Sequence, residues 1–171
     1  TFPFAHPLIG IKNVIKSVLF ICLGNICRSP TAECIFRKKA KSSKLGIFCD
    51  SAGTASWHVG SHPYEPMQVA AKDRGFDMSK LRARQITIAD FEEFDLLVVM
   101  DKENRSNLQN LCPEQLDKVR LLTDYSLEAL AYDYVPDPYY TRNFNQALDI
   151  IETSLNGLVE SLKNHNNNLK Q

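Results

Sequence analysis

The sequence has no net charge to offer a partner. Its 20 basic and 20 acidic side chains cancel, so the broad basic field that nucleic acids and anionic membranes attract is missing. Recognition of an anion must therefore come from a local site. Long apolar runs are missing too: no stretch approaches the roughly 18 to 20 residues that span a bilayer. The first sixteen residues are broken by Pro3, His6, Pro7 and Gly10 and lack a basic segment before an apolar core, which argues against a signal peptide. Cysteine is present, but five residues (Cys22, Cys27, Cys34, Cys49 and Cys112) form an odd, scattered set. That is no secreted disulfide framework, and it favours a reducing, cytoplasmic setting.

Two motif absences narrow the chemistry. No G-x4-G-K-[ST] run occurs, which excludes a Walker-type nucleotide loop. Cys22 and Cys27 have no second ligand pair at zinc-site spacing, which argues against zinc; no cofactor is expected. No internal repeat or linker divides the 171 residues, a length suited to one domain with a real core.

What remains is an alternation of short apolar runs and longer amphipathic ones. Residues 18–22 (VLFIC), 47–52 (IFCDSA), 96–100 (LLVVM) and 119–122 (VRLL) predict four strands. Continuous apolar runs suit a parallel sheet covered on both faces. Helices are predicted over 30–43, 63–74, 89–94 and 102–111, with Pro30 in a first turn and Gly75 and Pro113 as stops. In a last helix over 141–163, Phe144, Leu148, Ile151, Leu155, Leu158 and Leu162 recur every three or four residues. The expected fold is α/β: a single-domain open four-stranded parallel sheet flanked by helices, with right-handed crossovers and a phosphate-binding loop after the first strand. The domain is expected over 17–163, with a loosely ordered N-terminal extension over 1–16 and a disordered polar tail over 164–171.

The loop between the first strand and the first helix is the strongest candidate site. It runs Cys22, Leu23, Gly24, Asn25, Ile26, Cys27, Arg28, Ser29. Gly24 and Asn25 are the residue types that most easily take positive φ. A loop curled by them turns successive backbone N–H groups into one concavity, and the following helix N-terminus adds its own. Cys22 sits at the rim, where such a nest stabilises a thiolate. Arg28 can return to the concavity and grip two phosphate oxygens with its planar fork. Ser29 can donate a hydrogen bond to the sulfur. A cysteine beneath a phosphate held in this way implies covalent phosphoryl transfer. Departure of a phenolate or alkoxide calls for a general acid, and Asp137 lies between Pro136 and Pro138 in the loop before the last helix.

The segment VLFICLGNICRSPTAE resembles the signature of the low-molecular-weight protein-tyrosine phosphatases. SAGT at 51–54, RARQ at 82–85, MD at 100–101 and DPYY at 137–140 follow in the family's order. The resemblance covers roughly residues 16–162. It implies a metal-independent phosphatase that hydrolyses phosphotyrosine and aryl phosphates, with Cys22 as nucleophile, Arg28 as phosphate clamp and Asp137 as acid and then base. It implies that Trp57, Tyr139 and Tyr140 line the substrate slot, that Asn25 and Ser51 support the loop, and that Cys27 is a reversible redox partner of Cys22. Phosphotyrosine-containing proteins are the expected partners, without nucleic acid or membrane insertion, and a monomer is expected.

The chain departs from the pattern at Leu81, where similar enzymes usually carry histidine, so that support of the loop is not expected here. Two alternatives stay open. Arsenate reductases of related fold need a downstream cysteine pair where this chain has Asp101 and Asn104, with only Cys112 later. A phosphotyrosine-binding module without catalysis would be expected to lack the nucleophile or the acid.

Overall fold

The computed structural model describes residues 8–170. Strands β1 (Ser17–Cys22), β2 (Phe48–Gly53), β3 (Leu96–Val99) and β4 (Val119–Leu121) form one sheet in the order β2-β1-β3-β4, parallel throughout. Between them lie α1 (Arg28–Ser42), α2 (Glu65–Asp73), α3 (Ile88–Glu93) and α4 (Lys102–Leu111), followed by α5 (Pro138–Thr141) and α6 (Phe144–Leu169). The chain leaves β1 for β2 on one side and returns past it to β3 on the other. This reversal opens a crevice at the carboxyl ends of β1 and β3, the place where open α/β sheets bind ligands.

The alternation of side chains along the strands builds two cores. Val18, Phe20, Leu96 and Val98 pack with Ile35 and Phe36 of α1 and Leu148, Ile151 and Leu155 of α6. Leu19, Ile21, Leu97 and Val99 pack on the opposite face with Phe91 of α3 and Leu108 of α4. With both faces covered, β1 and β3 are apolar at every buried position. Phe20 and Phe36 have ring centroids 5.4 Å apart, and burying each ring stabilises the fold by roughly 1.5–3 kcal/mol.

The strands and first four helices lie within a few residues of the sequence expectation. The last helix does not. Arg142 takes left-handed backbone at φ 62°, separating the short α5 from α6. Asn143 then caps α6, its side-chain oxygen accepting from the Gln146 amide at 3.0 Å. At its other end α6 runs to Leu169, so the expectation of a disordered tail is corrected for 164–169. The cause is a contact with the N-terminal segment. The buried side chain of Asn166 accepts from the Ile15 amide at 2.9 Å and donates to the Ile15 carbonyl at 3.0 Å, as a strand partner would. Leu8 and Ile15 are buried in the larger core. The loosely ordered extension is therefore corrected for residues 8–16, and residues 1–7 lie outside those described.

Candidate active site

The loop that follows β1 is shaped by what holds its carbonyls. The Cys22 carbonyl accepts from the Thr54 amide at 3.0 Å, Leu23 from Ala55 at 2.9 Å, and Ile26 from Tyr64 at 2.6 Å. The Thr31 hydroxyl donates to the Cys27 carbonyl at 2.7 Å. With these oxygens engaged from outside, the N–H edges of the peptides are left for the concavity. Cys27 is the N-cap of α1 and its side chain caps nothing, so the first-turn amides remain available to an anion.

Of the two residues expected to curl the loop, only Asn25 takes positive φ, at 56°. Gly24 serves a different need: a Cβ there would lie 3.0 Å from the His58 ring. The second close approach is at Gly53, where a Cβ would sit 2.8 Å from the Leu23 carbonyl oxygen. Gly53 also donates to the Arg84 carbonyl and accepts from the Ile86 amide, both at 2.8 Å. The SAGT and RARQ segments thus meet behind the loop.

Cys22, Arg28 and Asp137 line one narrow cleft with Trp57, Tyr139 and Tyr140. The Cys22 sulfur and the Ser29 Oγ are 3.0 Å apart. Asn25 Nδ2 reaches the hydroxyls of Ser29 at 2.8 Å and Ser51 at 2.9 Å, and its Oδ1 accepts from the Arg84 amide at 2.9 Å. Arg28 is buried, with Nη1 donating to Asp101 Oδ2 at 2.6 Å and to the Val135 carbonyl at 2.9 Å. Its Nη2 lies 3.4 Å from Asp137 Oδ2. Asp137 is also the N-cap of α5, its Oδ1 accepting from the Tyr139 amide at 3.1 Å.

Burial opposes the charge on Arg28, but Cys22, Asp137 and Asp101 outweigh it and hold its pKa above the ordinary value. Burial pushes the Cys27 thiol well up, helped by the neighbouring Cys22 and Asp137. The rim is aromatic. Trp57 and Tyr140 are largely exposed, and the rings of Tyr64 and Tyr139 approach to 5.1 Å. Arg142 lies 5.3 Å from the Tyr64 ring centroid and donates to its hydroxyl at 2.6 Å.

The profile described as low molecular weight phosphotyrosine protein phosphatase matches residues 17–168. The chain belongs to that family. Low molecular weight protein-tyrosine-phosphatase YfkJ of Bacillus subtilis is 40% identical over 150 residues, covering 86% of this chain and 96% of its own. The crystal structure of YfkJ superposes with a TM-score of 0.83 at 39% identity, covering 89% of this chain and 97% of that one. The protein tyrosine phosphatase of Entamoeba histolytica, solved with Hepes in its active site, gives a TM-score of 0.81 at 36% identity over 86% and 97% of the two chains.

Within this phosphatase fold, several cleft residues were not singled out from sequence. Asp101 reaches the cleft only through Arg28, and its place in the MD pair at the carboxyl end of a predicted strand is the signal that marks it. His58 lines the cleft from an irregular segment, and Tyr64 and Arg142 flank it. Tyr64 and Arg142 fall inside the helices expected over 63–74 and 141–163, but α2 starts only at Glu65 and α6 only at Phe144, which leaves each residue at a joint. Leu81, the departure from the family pattern, packs against the larger core. The loop's Asn25 is held by Ser29, Ser51 and the Arg84 amide without it.

Proposed function

We propose that this low-molecular-weight protein-tyrosine phosphatase hydrolyses phosphotyrosine and other aryl phosphate monoesters through a cysteinyl-phosphate on Cys22. The convergence of Cys22, Arg28 and Asp137 in one cleft carries the reading. A phosphate resting on the loop amides places its phosphorus against the sulfur, with Arg28 gripping two oxygens. The Cys22 thiolate attacks in line: the S–P bond forms, the P–O bond to the phenol breaks, and the Asp137 carboxyl gives its proton to the departing oxygen. Water then attacks phosphorus while the Asp137 carboxylate takes its proton. The S–P bond breaks, and Ser29 donates to the sulfur as charge returns to it.

Trp57, Tyr139 and Tyr140 form the walls, set to stack on an aromatic ring. Cys27 is the redox partner: it lines the same cleft as a buried thiol. Once a peroxide has oxidised Cys22 to the sulfenic acid, the Cys27 sulfur attacks it, water leaves and the disulfide forms. Substrates would be phosphotyrosine-containing proteins. The reading includes a monomer acting in a reducing cytoplasm, where the Cys22 thiolate persists. Among the described residues, no helix is long and apolar enough to cross a membrane.

The test is hydrolysis of p-nitrophenyl phosphate and a phosphotyrosine peptide by wild type, Cys22→Ser and Asp137→Asn. Cys22→Ser is expected to abolish activity, and Asp137→Asn to lower kcat by about 10²–10⁴-fold. Robust turnover by Cys22→Ser would overturn the mechanism. An inactive, reduced and folded wild type would point to a binding module or to arsenate reduction.

A further inference from the structure

Behind the loop lies a buried carboxylate that the mechanism does not use. Glu33 is on the first turns of α1, facing β2, with its side chain 4% exposed. Its Oε1 accepts from the Ser51 hydroxyl at 2.6 Å, and its Oε2 accepts from Arg37 Nη2 at 2.5 Å. Arg37 lies one helical turn further on, half exposed, and also donates to the Cys49 carbonyl of β2 at 3.1 Å. A carboxylate in such a place is costly unless its charge is matched and its oxygens are bonded.

Followed inward, these bonds form a continuous chain. Arg37 holds Glu33, Glu33 holds Ser51, and Asn25 joins Ser51 to Ser29, whose Oγ meets the Cys22 sulfur. The order of donors and acceptors along it is forced. An ionised carboxylate can only accept, so Ser51 turns its proton toward Glu33 and offers Asn25 an oxygen. Asn25 must then present its NH2 group to Ser51, and the Arg84 amide at Oδ1 demands the same orientation. The second hydrogen of that NH2 group meets the Ser29 oxygen. Ser29 is thereby an acceptor from Asn25, and its own proton is left for the sulfur.

Resting on Cys22 as the nucleophile, we propose that Glu33 and Arg37 are positioning residues: the ion pair fixes the proton order of the Ser51–Asn25–Ser29 chain so that Ser29 donates to the Cys22 thiolate. Arg37 supplies the opposite charge that favours the ionised carboxylate in its buried place. Burial and the like charge of Asp50 favour the protonated form, while the Ser51 and Arg37 bonds oppose it. Asp50 is itself paired with Arg84 at 3.0 Å, leaving Arg37 as the cation bonded to Glu33. Leu81 contributes no polar atom to this network, so its outer support comes from α1. A neutral, donating group in place of the carboxylate lets Ser51 turn its proton toward Asn25. Because the Arg84 amide holds Asn25 Oδ1, that proton would then face the Asn25 NH2 group, donor against donor, and the displaced amide would weaken the bond that orients Ser29.

The experiment uses the whole chain with Arg37→Met, Arg37→Lys and Glu33→Gln. Two quantities are read across pH: the rate at which iodoacetate inactivates Cys22, and kcat and KM for p-nitrophenyl phosphate. Arg37→Met and Glu33→Gln are expected to move the midpoint of inactivation to higher pH. Each should lower kcat about tenfold, the lower end for residues that orient a reacting group, with KM changed less than twofold. Arg37→Lys, which keeps the charge, should restore most of the wild-type profile. A merely structural pair would lower the melting temperature without moving the inactivation midpoint. If Glu33→Gln does not fold, Arg37→Met, altered at a half-exposed side chain, decides the matter alone. An inactivation profile and kcat equal to wild type in Arg37→Met would overturn the proposal. Failure of the catalytic reading itself is a separate result, seen as turnover by Cys22→Ser.

Discussion

Asp101 holds Arg28 from below the cleft, Oδ2 to Nη1 at 2.6 Å, while its Oδ1 accepts from the Asn104 amide at 2.8 Å and caps α4. One carboxylate therefore aims the phosphate clamp and starts a helix. The two tasks separate on mutation. Asparagine caps a helix about as well as aspartate, but it brings no charge to a guanidinium and can present an NH2 group to it. Asp101→Asn should leave the melting temperature close to wild type while lowering kcat/KM by about 10–100-fold. The inhibition constant of inorganic phosphate should rise with it. Steady-state kinetics with phosphate as inhibitor, beside a thermal melt, checks both parts. Unchanged phosphate inhibition would show that Arg28 is aimed without Asp101.

Four of the five cysteines are held as thiols by burial. Cys27 is pushed well up, Cys49 is pushed up to about 12, and Cys34 and Cys112 are raised as well. For Cys27, the charges of Cys22 and Asp137 add to burial, and Arg28 only partly opposes them. Since the thiolate is the reactive form, limited iodoacetamide at pH 7 should label Cys22 alone, with inactivation proportional to labelling. Peptide mapping by mass spectrometry reads the adducts. Partly exposed Cys34 should follow only in more alkaline buffer. Equal labelling of Cys22 and Cys27 at pH 7 would contradict the environments described.

The parts of this molecule legible in its sequence are those with a local period or a local motif. The runs ending at Cys22 and Met100 predict buried parallel strands because both faces of β1 and β3 are covered. The cysteine loop is legible because strand, Gly-Asn, arginine and helix follow in direct succession. What could not be read depends on distant partners. Nothing near Asn166 announces that its amide will bond both backbone groups of Ile15, so a polar tail looked free of structure. Arg142 takes left-handed backbone although arginine has no preference for it, held by Tyr64, far away in sequence. Glu33 and Arg37 look like an ordinary surface pair four residues apart; only the approach of β2 buries the acid.

That burial has a thermodynamic consequence. Desolvation is the largest influence on Glu33 and leaves its folded pKa above the unfolded one, despite the bonds from Ser51 and Arg37. The folded state thus binds the Glu33 proton more tightly. Its contribution to stability is fully present below the unfolded value of about 4.3 and is lost as pH rises through the folded value. Glutamine does not titrate, so the stability of wild type relative to Glu33→Gln should fall between pH 4 and pH 7. Urea unfolding of both proteins at the two pH values measures the difference. A rise over that range would mean that the ion pair, and not desolvation, dominates at Glu33.

Gly157 lies on the inner face of α6, where a Cβ would run into the carbonyl oxygen of Tyr125. In an exposed helix, alanine in place of glycine gains about 1 kcal/mol. Here that gain meets a collision with backbone, which cannot swing aside as the end of a long side chain can. Tyr125 is itself fully buried in the larger core, so either α6 or the segment over 122–125 must shift. Overpacking of this kind costs about 1–3 kcal/mol or more, and the sign of the substitution reverses. Gly157→Ala should lower the melting temperature by several degrees, at roughly 2–4 °C per kcal/mol for a chain of this size. Asn156→Ala, on the exposed face one residue away, should stay within about 0.5 kcal/mol of wild type. A stabilised Gly157→Ala would mean that α6 stands further from the Tyr125 backbone than described, and calorimetry of the three proteins distinguishes the two cases.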